Sequence, residues 1–240
     1  ARGVVFGASY DDKMTVRRIA VETCCLSNKL RGSKYVQSDV GDTYHQAERH
    51  LKAGRQVLFS GTPCQIAGLY ATIGKDHKKL LTCDLVCHGV PSPKIFSMAI
   101  GTIEKHKKSK VVDFIFREKS CGWLYPTVRI VLNKGRNINE APLDNPFFKG
   151  FLKNIYLRPA CYQCPIKARG AISDITLGDF WELSKLHPKL INQAGTSAIL
   201  VNSIRGNRAI NQCSDRLSHT ECPSDYIENK PNLHESVKPP

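Results

Sequence analysis

Apolar runs long enough to cross a bilayer are missing from this chain of 240 residues, which argues against a helical membrane span. A charged-then-apolar leader is missing as well, so nothing marks the chain for secretion, and a cytoplasmic location is expected. The chain opens on Ala1 rather than Met, which reads as a piece cut from a longer protein. Aromatic residues are few, at 8%, and no basic stretch interleaves them. That excludes the stacking platform of a single-strand nucleic-acid binder. Internal repeats are absent. Acidic residues are outnumbered, 21 against 35 Lys and Arg, leaving a formal charge of +14. The excess gathers in runs such as His77-Lys78-Lys79 and Lys105-His106-Lys107-Lys108. Such runs read as solvated helix faces, or as attraction to a phosphorylated cofactor or an acidic partner, ahead of nucleic acid.

What is present is the pattern of a globular domain, with 41% hydrophobic and 23% charged residues. Short β-branched or aromatic runs bounded by breakers predict strands over Val4–Ala8, Val57–Phe59, Leu80–Val86, Val111–Phe116, Thr127–Leu132, Ile175–Leu177 and Ala198–Asn202. Helical periodicity appears over Thr43–Ala53, closed by Gly54, and over Pro93–His106. Asn145–Tyr156 opens on a capping Asn before a Pro at the first helical position. Strands alternating with helices predict an α/β fold, a β-sheet core flanked by helices. The adjacent runs Val111–Phe116 and Thr127–Leu132 read as a hairpin, which makes that sheet mixed.

Ten cysteines are many for a chain without secretory signs, and they point to metal or redox chemistry rather than disulfides. Cys24, Cys25, Cys121, Cys213 and Cys222 lack a context and read as buried structural thiols. Four others share one. Cys64 and Cys87 each lie just past a predicted strand, so parallel pairing would bring both to the edge where α/β proteins build sites. Cys161 and Cys164 form a C-x-x-C-P unit whose two-residue gap lets both sulfurs converge. Four thiolates of this kind suit a [4Fe–4S] cluster. A structural zinc more often takes two paired knuckles, and a thioredoxin-like C-x-x-C would follow a strand rather than a helix. Zinc in a non-catalytic, partner-binding module, and unliganded thiols, stay open as alternatives. Cys83, four residues before Cys87, competes with it as the ligand.

Six stretches in order resemble the coenzyme F420 hydrogenase/dehydrogenase beta-subunit family: GSKYVQSDVGDTY (32–44), FSGTPCQIAGL (59–69), DLVCHGVPSP (84–93), NPFFKGFLKNIYLRPACYQCP (145–165), SDITLGDFW (173–181) and GTSAILVN (195–202). The resemblance implies an iron–sulfur flavoprotein oxidoreductase. Electrons would pass between a [4Fe–4S] cluster, FAD and an organic hydride acceptor such as coenzyme F420, with a redox partner protein or subunit supplying them. It also implies one flavin/iron–sulfur domain over residues 1–222, without the N-terminal ferredoxin-like segment of full-length relatives. An extended polar tail, residues 223–240, would follow.

Under that reading Cys64, Cys87, Cys161 and Cys164 are the metal ligands. Gly61 lets the backbone turn and approach a ligand closely, and Thr62 offers a hydroxyl and an amide to a phosphate or flavin edge. Ser33, Lys34, Tyr35, Gln37 and Ser38 form a polar, cationic stretch where a further strand is expected; Lys34 would neutralise pyrophosphate there. Gly195, Thr196 and Ser197 precede a strand as an anion cradle. Asp179, before Phe180-Trp181, orients a loop or caps a turn. His88 follows a ligand, and histidine is the side chain suited to proton transfer near neutral pH, which makes it the candidate proton-handling group. Each of these also has an ordinary structural reading, as a turn, an edge strand or a hydrogen-bonded histidine.

Overall fold

The computed structural model describes residues 3–180, 183, 188, 191–222 and 235–239. Four strands run parallel at the centre: β1 (Val4–Tyr10), β3 (Val57–Ser60), β4 (Leu80–Leu85) and β8 (Ile175–Asp179). Antiparallel strands close both edges, β2 (Val16–Val21) beside β1 and β9 (Ser197–Val201) beside β8, so the order is β2-β1-β3-β4-β8-β9. Alternation along each strand sends Val4, Phe6, Val57, Phe59 and Leu80 to one face, all buried. Two helices cover that face. α1 (Thr43–Lys52) contributes Ala47 and Leu51, and α2 (Pro63–Ile73) contributes Ile66, Leu69 and Ile73.

α2 starts where its chemistry says it should. Thr62 caps it, Pro63 occupies the first turn, and the Thr62 amide donates to Gln65 Oε1 at 3.2 Å, completing a capping box. Gly74, at φ +80°, ends it.

A second, antiparallel sheet comprises β5 (Val111–Glu118), β6 (Thr127–Leu132) and β7 (Asn137–Glu140). The aromatics that are scarce overall are concentrated against it. Phe96 of α3 (Pro93–Lys107), Phe114 and Phe116 of β5, and Phe147, Phe148 and Phe151 of α4 (Pro146–Leu152) form one core. Phe114 and Phe116 have ring centroids 4.6 Å apart, and Phe148 stacks on Phe151 at 5.8 Å. Asn145 Oδ1 caps α4 by accepting from the Phe148 amide at 2.9 Å, while its Nδ2 donates to Glu140 Oε2 at 2.8 Å. Asn145→Ala loses both bonds in a buried place. It is expected to lower unfolding free energy by at least about 1 kcal/mol in a denaturant titration; an unchanged midpoint would show that the cap contributes nothing.

The α/β expectation holds, with three corrections. The hairpin of β5 and β6 does not mix the main sheet; it belongs to the second sheet, and the mixing comes from the edge strands β2 and β9. Residues 33–38 are not a strand. They run irregularly beside β2, with a single bridge between Arg17 and Asp39, and bury Val36. The helix expected through Tyr156 stops at Leu152, because Asn154 takes a left-handed conformation at φ +60°. Of the expected tail, residues 223–234 and 240 lie outside the described residues. Ser236 Oγ accepts from the Cys164 amide at 2.8 Å, and Val237 packs against the aromatic core.

Candidate functional site

The parallel pairing of β3 and β4 brings Ser60 opposite Cys83, and the Gly61 amide donates to the Cys83 carbonyl at 2.9 Å. Both chains then leave the sheet at the same edge. Cys64 is the second residue of α2, exposed, with its Sγ 3.1 Å from Thr62 Oγ1. Cys87 follows β4 directly, after the Val86 amide has made a last ladder bond to Leu177 O at 2.8 Å. The strand ends before Cys87, so Cys83 and Cys87 do not share a face.

A backbone clip delivers the other pair. Pro91 bridges to Leu157, and the Arg158 amide donates to Val90 O at 2.9 Å. The short helix α5 (Pro159–Tyr162) is thereby laid against residues 89–91, with Cys161 in it and Cys164 just beyond. Gly89 makes the approach possible. A Cβ there would stand 2.9 Å from Leu157 Cδ1 and 3.3 Å from Cys161 Cβ, at a φ of +145° that L side chains rarely adopt.

Cys64, Cys87 and Cys161 lie within electrostatic reach of one another, and Cys164 within reach of Cys161. Burial pushes the Cys87 thiol up to about 12. Thiolate charge at Cys64 and Cys161 adds to that, while the Lys167 ammonium and the Gly89 amide oppose it. Cys161 is raised by burial first, then by Cys64 and Cys164. Cys83 is raised to about 11 by burial and by its neighbour Asp84, and no other thiol acts on it. Of the two rivals the sequence offered, Cys87 interacts with Cys64 and Cys161, and Cys83 with neither.

Two cations at this edge went unnoticed in the sequence. Lys167 is 7% exposed, and its ammonium has no hydrogen-bond partner among the described residues. Burial lowers its pKa, and Cys87, Cys164 and Cys161 act to hold it up. Arg18 of β2 is 6% exposed and lies over the Phe59 ring, 5.0 Å from its centroid. Its Nη2 donates to Gln65 Oε1 at 2.7 Å and to Ser38 Oγ at 3.4 Å, while Nε and Nη1 find no acceptor among the described residues. Burial lowers it to about 10, against the opposing pull of Tyr44 and Cys64. A Cβ on Gly61 would stand 3.2 Å from Arg18 Nη2.

The other expected positions divide. Gly61, Thr62 and Ser38 meet around Gln65, whose Nε2 donates to Ser38 Oγ at 2.9 Å. The Gln37 amide donates to Pro91 O at 3.2 Å, tying that stretch to the loop beyond Cys87. Lys34 and Tyr35 do not face the thiols. The Lys34 ammonium donates to the Arg31 and Gly32 carbonyls at 2.9 and 3.2 Å, and the Tyr35 ring packs among Phe116, Phe148 and Phe151. The Tyr35 hydroxyl is engaged with Ser33 and Arg117. Gly195, Thr196 and Ser197 reach the same edge of the sheet one strand beyond β8, where Ser197 pairs with Asp179 and Gly195 fits against Trp123. Asp179 forms an ion pair with Arg117; Trp181 lies outside the described residues. His88 Nε2 is 2.6 Å from Asn154 Oδ1, and its ring stands edge-on to Phe151. The five remaining cysteines are not buried: Cys24, Cys25, Cys121 and Cys213 are exposed and Cys222 is half-buried. Cys24, Cys25, Cys121 and Cys213 fall in turns and at element ends, while Cys222 packs against the small cluster of Phe180, Leu183 and Ala198.

No three His, Cys, Asp or Glu side chains among the described residues stand close enough to grip one ion. A four-iron cluster takes its thiolates around a wider shell. An all-sulfur donor set beside a buried cation with unmet hydrogen-bonding capacity fits such an anionic centre.

The fold and the site define the class: an α/β protein that gathers thiols at the carboxyl-end edge of its parallel strands. The family described as the C-terminal part of the coenzyme F420 hydrogenase/dehydrogenase beta subunit matches residues 54–225, and the chain belongs to it. In three dimensions the chain is similar to one in the xenon-derivatised F420-reducing [NiFe] hydrogenase complex from Methanosarcina barkeri. The TM-score is 0.54 at 18% sequence identity, covering 90% of this chain and 67% of that one. At that identity the likeness is one of fold. No curated protein matches the sequence.

Proposed function

We propose that the chain is the iron–sulfur and flavin domain of an oxidoreductase, passing electrons between a [4Fe–4S] cluster, FAD and an organic hydride acceptor such as coenzyme F420. The observation that supports this reading is the linked set of thiols, with Cys64 and Cys161 acting on Cys87 and Cys164 acting on Cys161, beside a Lys167 ammonium that has no hydrogen-bond partner among the described residues. Those four thiols would hold the cluster, which supplies one-electron chemistry when bound. FAD would supply the exchange between single electrons and hydride. Gly61, Thr62 and Ser38 of the expected flavin set lie beside Arg18, whose Nε and Nη1 find no acceptor among the described residues, and together they would meet an anionic group such as its pyrophosphate. Gly195 to Ser197 would serve a more distant part of the same ligand. His88, oriented by Asn154, is the group placed to move a proton. Full function in this reading needs a redox partner subunit, in keeping with the hydrogenase complex that supplies the structural neighbour. Among the described residues no helix is long and apolar enough to cross a membrane, and the proposed setting is the cytoplasm.

Anaerobic purification tests the proposal. The expected product is brown, with iron and acid-labile sulfide in equal amounts and flavin that co-purifies or binds on addition. A colourless anaerobic preparation with neither iron nor sulfide, or one carrying a single zinc per chain, would sink it.

A further inference from the structure

We infer that Lys167 is the counter-charge of the thiol site and sets its reduction potential; this rests on the cluster reading above. Lys167 opens the 3-10 turn Lys167–Arg169, three residues after Cys164. Its ammonium is buried without a hydrogen-bond partner among the described residues, and the groups that act on it are the thiols of Cys87, Cys164 and Cys161. An isolated buried ammonium is costly and is ordinarily paired. No carboxylate figures among the charges acting on it. Neutral thiols give it nothing to balance, whereas four thiolates around an iron–sulfur core carry net negative charge. The position is therefore complete only when the site is loaded.

The sign of the effect follows from charge. One-electron reduction of a [4Fe–4S] core adds an electron, supplied by dithionite in a titration, without making or breaking a bond. It leaves the centre one unit more negative. A fixed positive charge beside it favours the reduced form and raises the potential. A methionine of similar length removes that charge and keeps most of the volume.

The test is a dithionite titration of the reconstituted protein, followed by electron paramagnetic resonance, with iron content measured on each sample. Lys167→Met is expected to load iron and to titrate lower. At the wild-type midpoint its reduced-to-oxidised ratio should fall at least tenfold, which is about 59 mV for a one-electron couple. Lys167→Arg, which keeps the charge, should stay near the wild-type potential. If Lys167→Met fails to load while Lys167→Arg loads normally, the charge is needed for the site and the inference stands. An iron-loaded Lys167→Met with the wild-type potential overturns the inference and leaves the cluster reading intact. Equal loss of iron in both variants overturns it too, because shape rather than charge would then be what matters. A wild-type protein that takes up no iron overturns the cluster reading itself, and the inference with it.

Discussion

Alanine in place of any one of Cys64, Cys87, Cys161 or Cys164 is expected to abolish stoichiometric iron binding. The same change at Cys24, Cys25, Cys121 or Cys213 should leave iron content at the wild-type level. The grounds are electrostatic and steric: Cys64 and Cys161 act on Cys87 and Cys164 acts on Cys161, while the second four are exposed in turns and at element ends. Metal binding is coupled to folding, so the four ligand variants should also lose the stabilisation that the loaded site provides. The surface variants should shift stability by no more than about 0.5 kcal/mol. Cys83→Ala is the control that discriminates most sharply. Cys83 sits within β4, paired with Ser60 and Ile175 in the ladders, and its Sγ lies 3.8 Å from the Asp84 carbonyl. Its loss should cost packing but not iron. Iron lost from Cys83→Ala and retained by Cys87→Ala, measured on matched anaerobic preparations, would reverse the assignment.

Asp174→Ala is expected to be the most damaging single change to the fold, lowering stability by about 3–5 kcal/mol, the range for stripping one partner from a buried ion pair. Asp174 is 1% exposed at the entry to β8. Its Oδ2 accepts from the Thr82 amide at 2.9 Å and the Thr82 hydroxyl at 3.0 Å. Its Oδ1 accepts from Ser203 Oγ at 2.6 Å and Arg205 Nε at 3.2 Å. One carboxylate thus ties β4 and β8 to the start of the helix Ile204–Gln212, which we label α6. That junction is tight. A Cβ on Gly206 would fall 2.3 Å from the Asp174 carbonyl oxygen, so nothing larger than glycine fits there.

Burial alone would raise the Asp174 pKa, but the bonds from Ser203 and Thr82 and the charge of Arg205 outweigh it, and the net shift is downward. A carboxylate held below its unfolded value, about 3.9, stabilises the fold fully above that pH. The contribution fades as pH falls through the lower folded value. The acid limb of the stability curve should therefore be steeper in wild type than in Asp174→Asn. Identical acid limbs in denaturant melts across the acidic range would show that the carboxylate's charge is not what holds the junction.

The parts of this fold that could be read from sequence are those whose residue types match their surroundings. β1, β3, β4, β6 and β8 are short apolar runs between breakers, and they lie within a residue or two of where their composition puts them. β2 escaped because VRRIAV carries two arginines in its first half, and nothing local reveals that Arg18 is buried over Phe59. β7 escaped because Asn-Ile-Asn-Glu is polar and, among the described residues, pairs only with β6. Between Pro63 and Ile73, α2 carries apolar residues with almost no charge, which blurs the helical period. Cysteine has few bland uses when clustered, which is why the thiol quartet stood out in the sequence. Lys167 and Arg18 were not, because in a chain with 35 basic residues a buried cation looks like any other. Lys34 and Tyr35 misled for the converse reason: polar groups in an irregular stretch spend their donors locally.

The backbone clip between Pro91 and Leu157 has a consequence for the order of events during folding. α3, the whole second sheet and α4 lie between Cys87 and Cys161 along the chain. Closing so long a loop costs entropy that only its own packed contents offset, and contacts of such separation form slowly. Cys64 and Cys87 come together as soon as β3 pairs with β4. Cys161 and Cys164 arrive only after the aromatic core has condensed and drawn α5 back to residues 89–91. The site is therefore among the last things the chain completes, and a damaged aromatic core would leave a half-built pair of thiols waiting, open to oxidation, without any change to the residues around them.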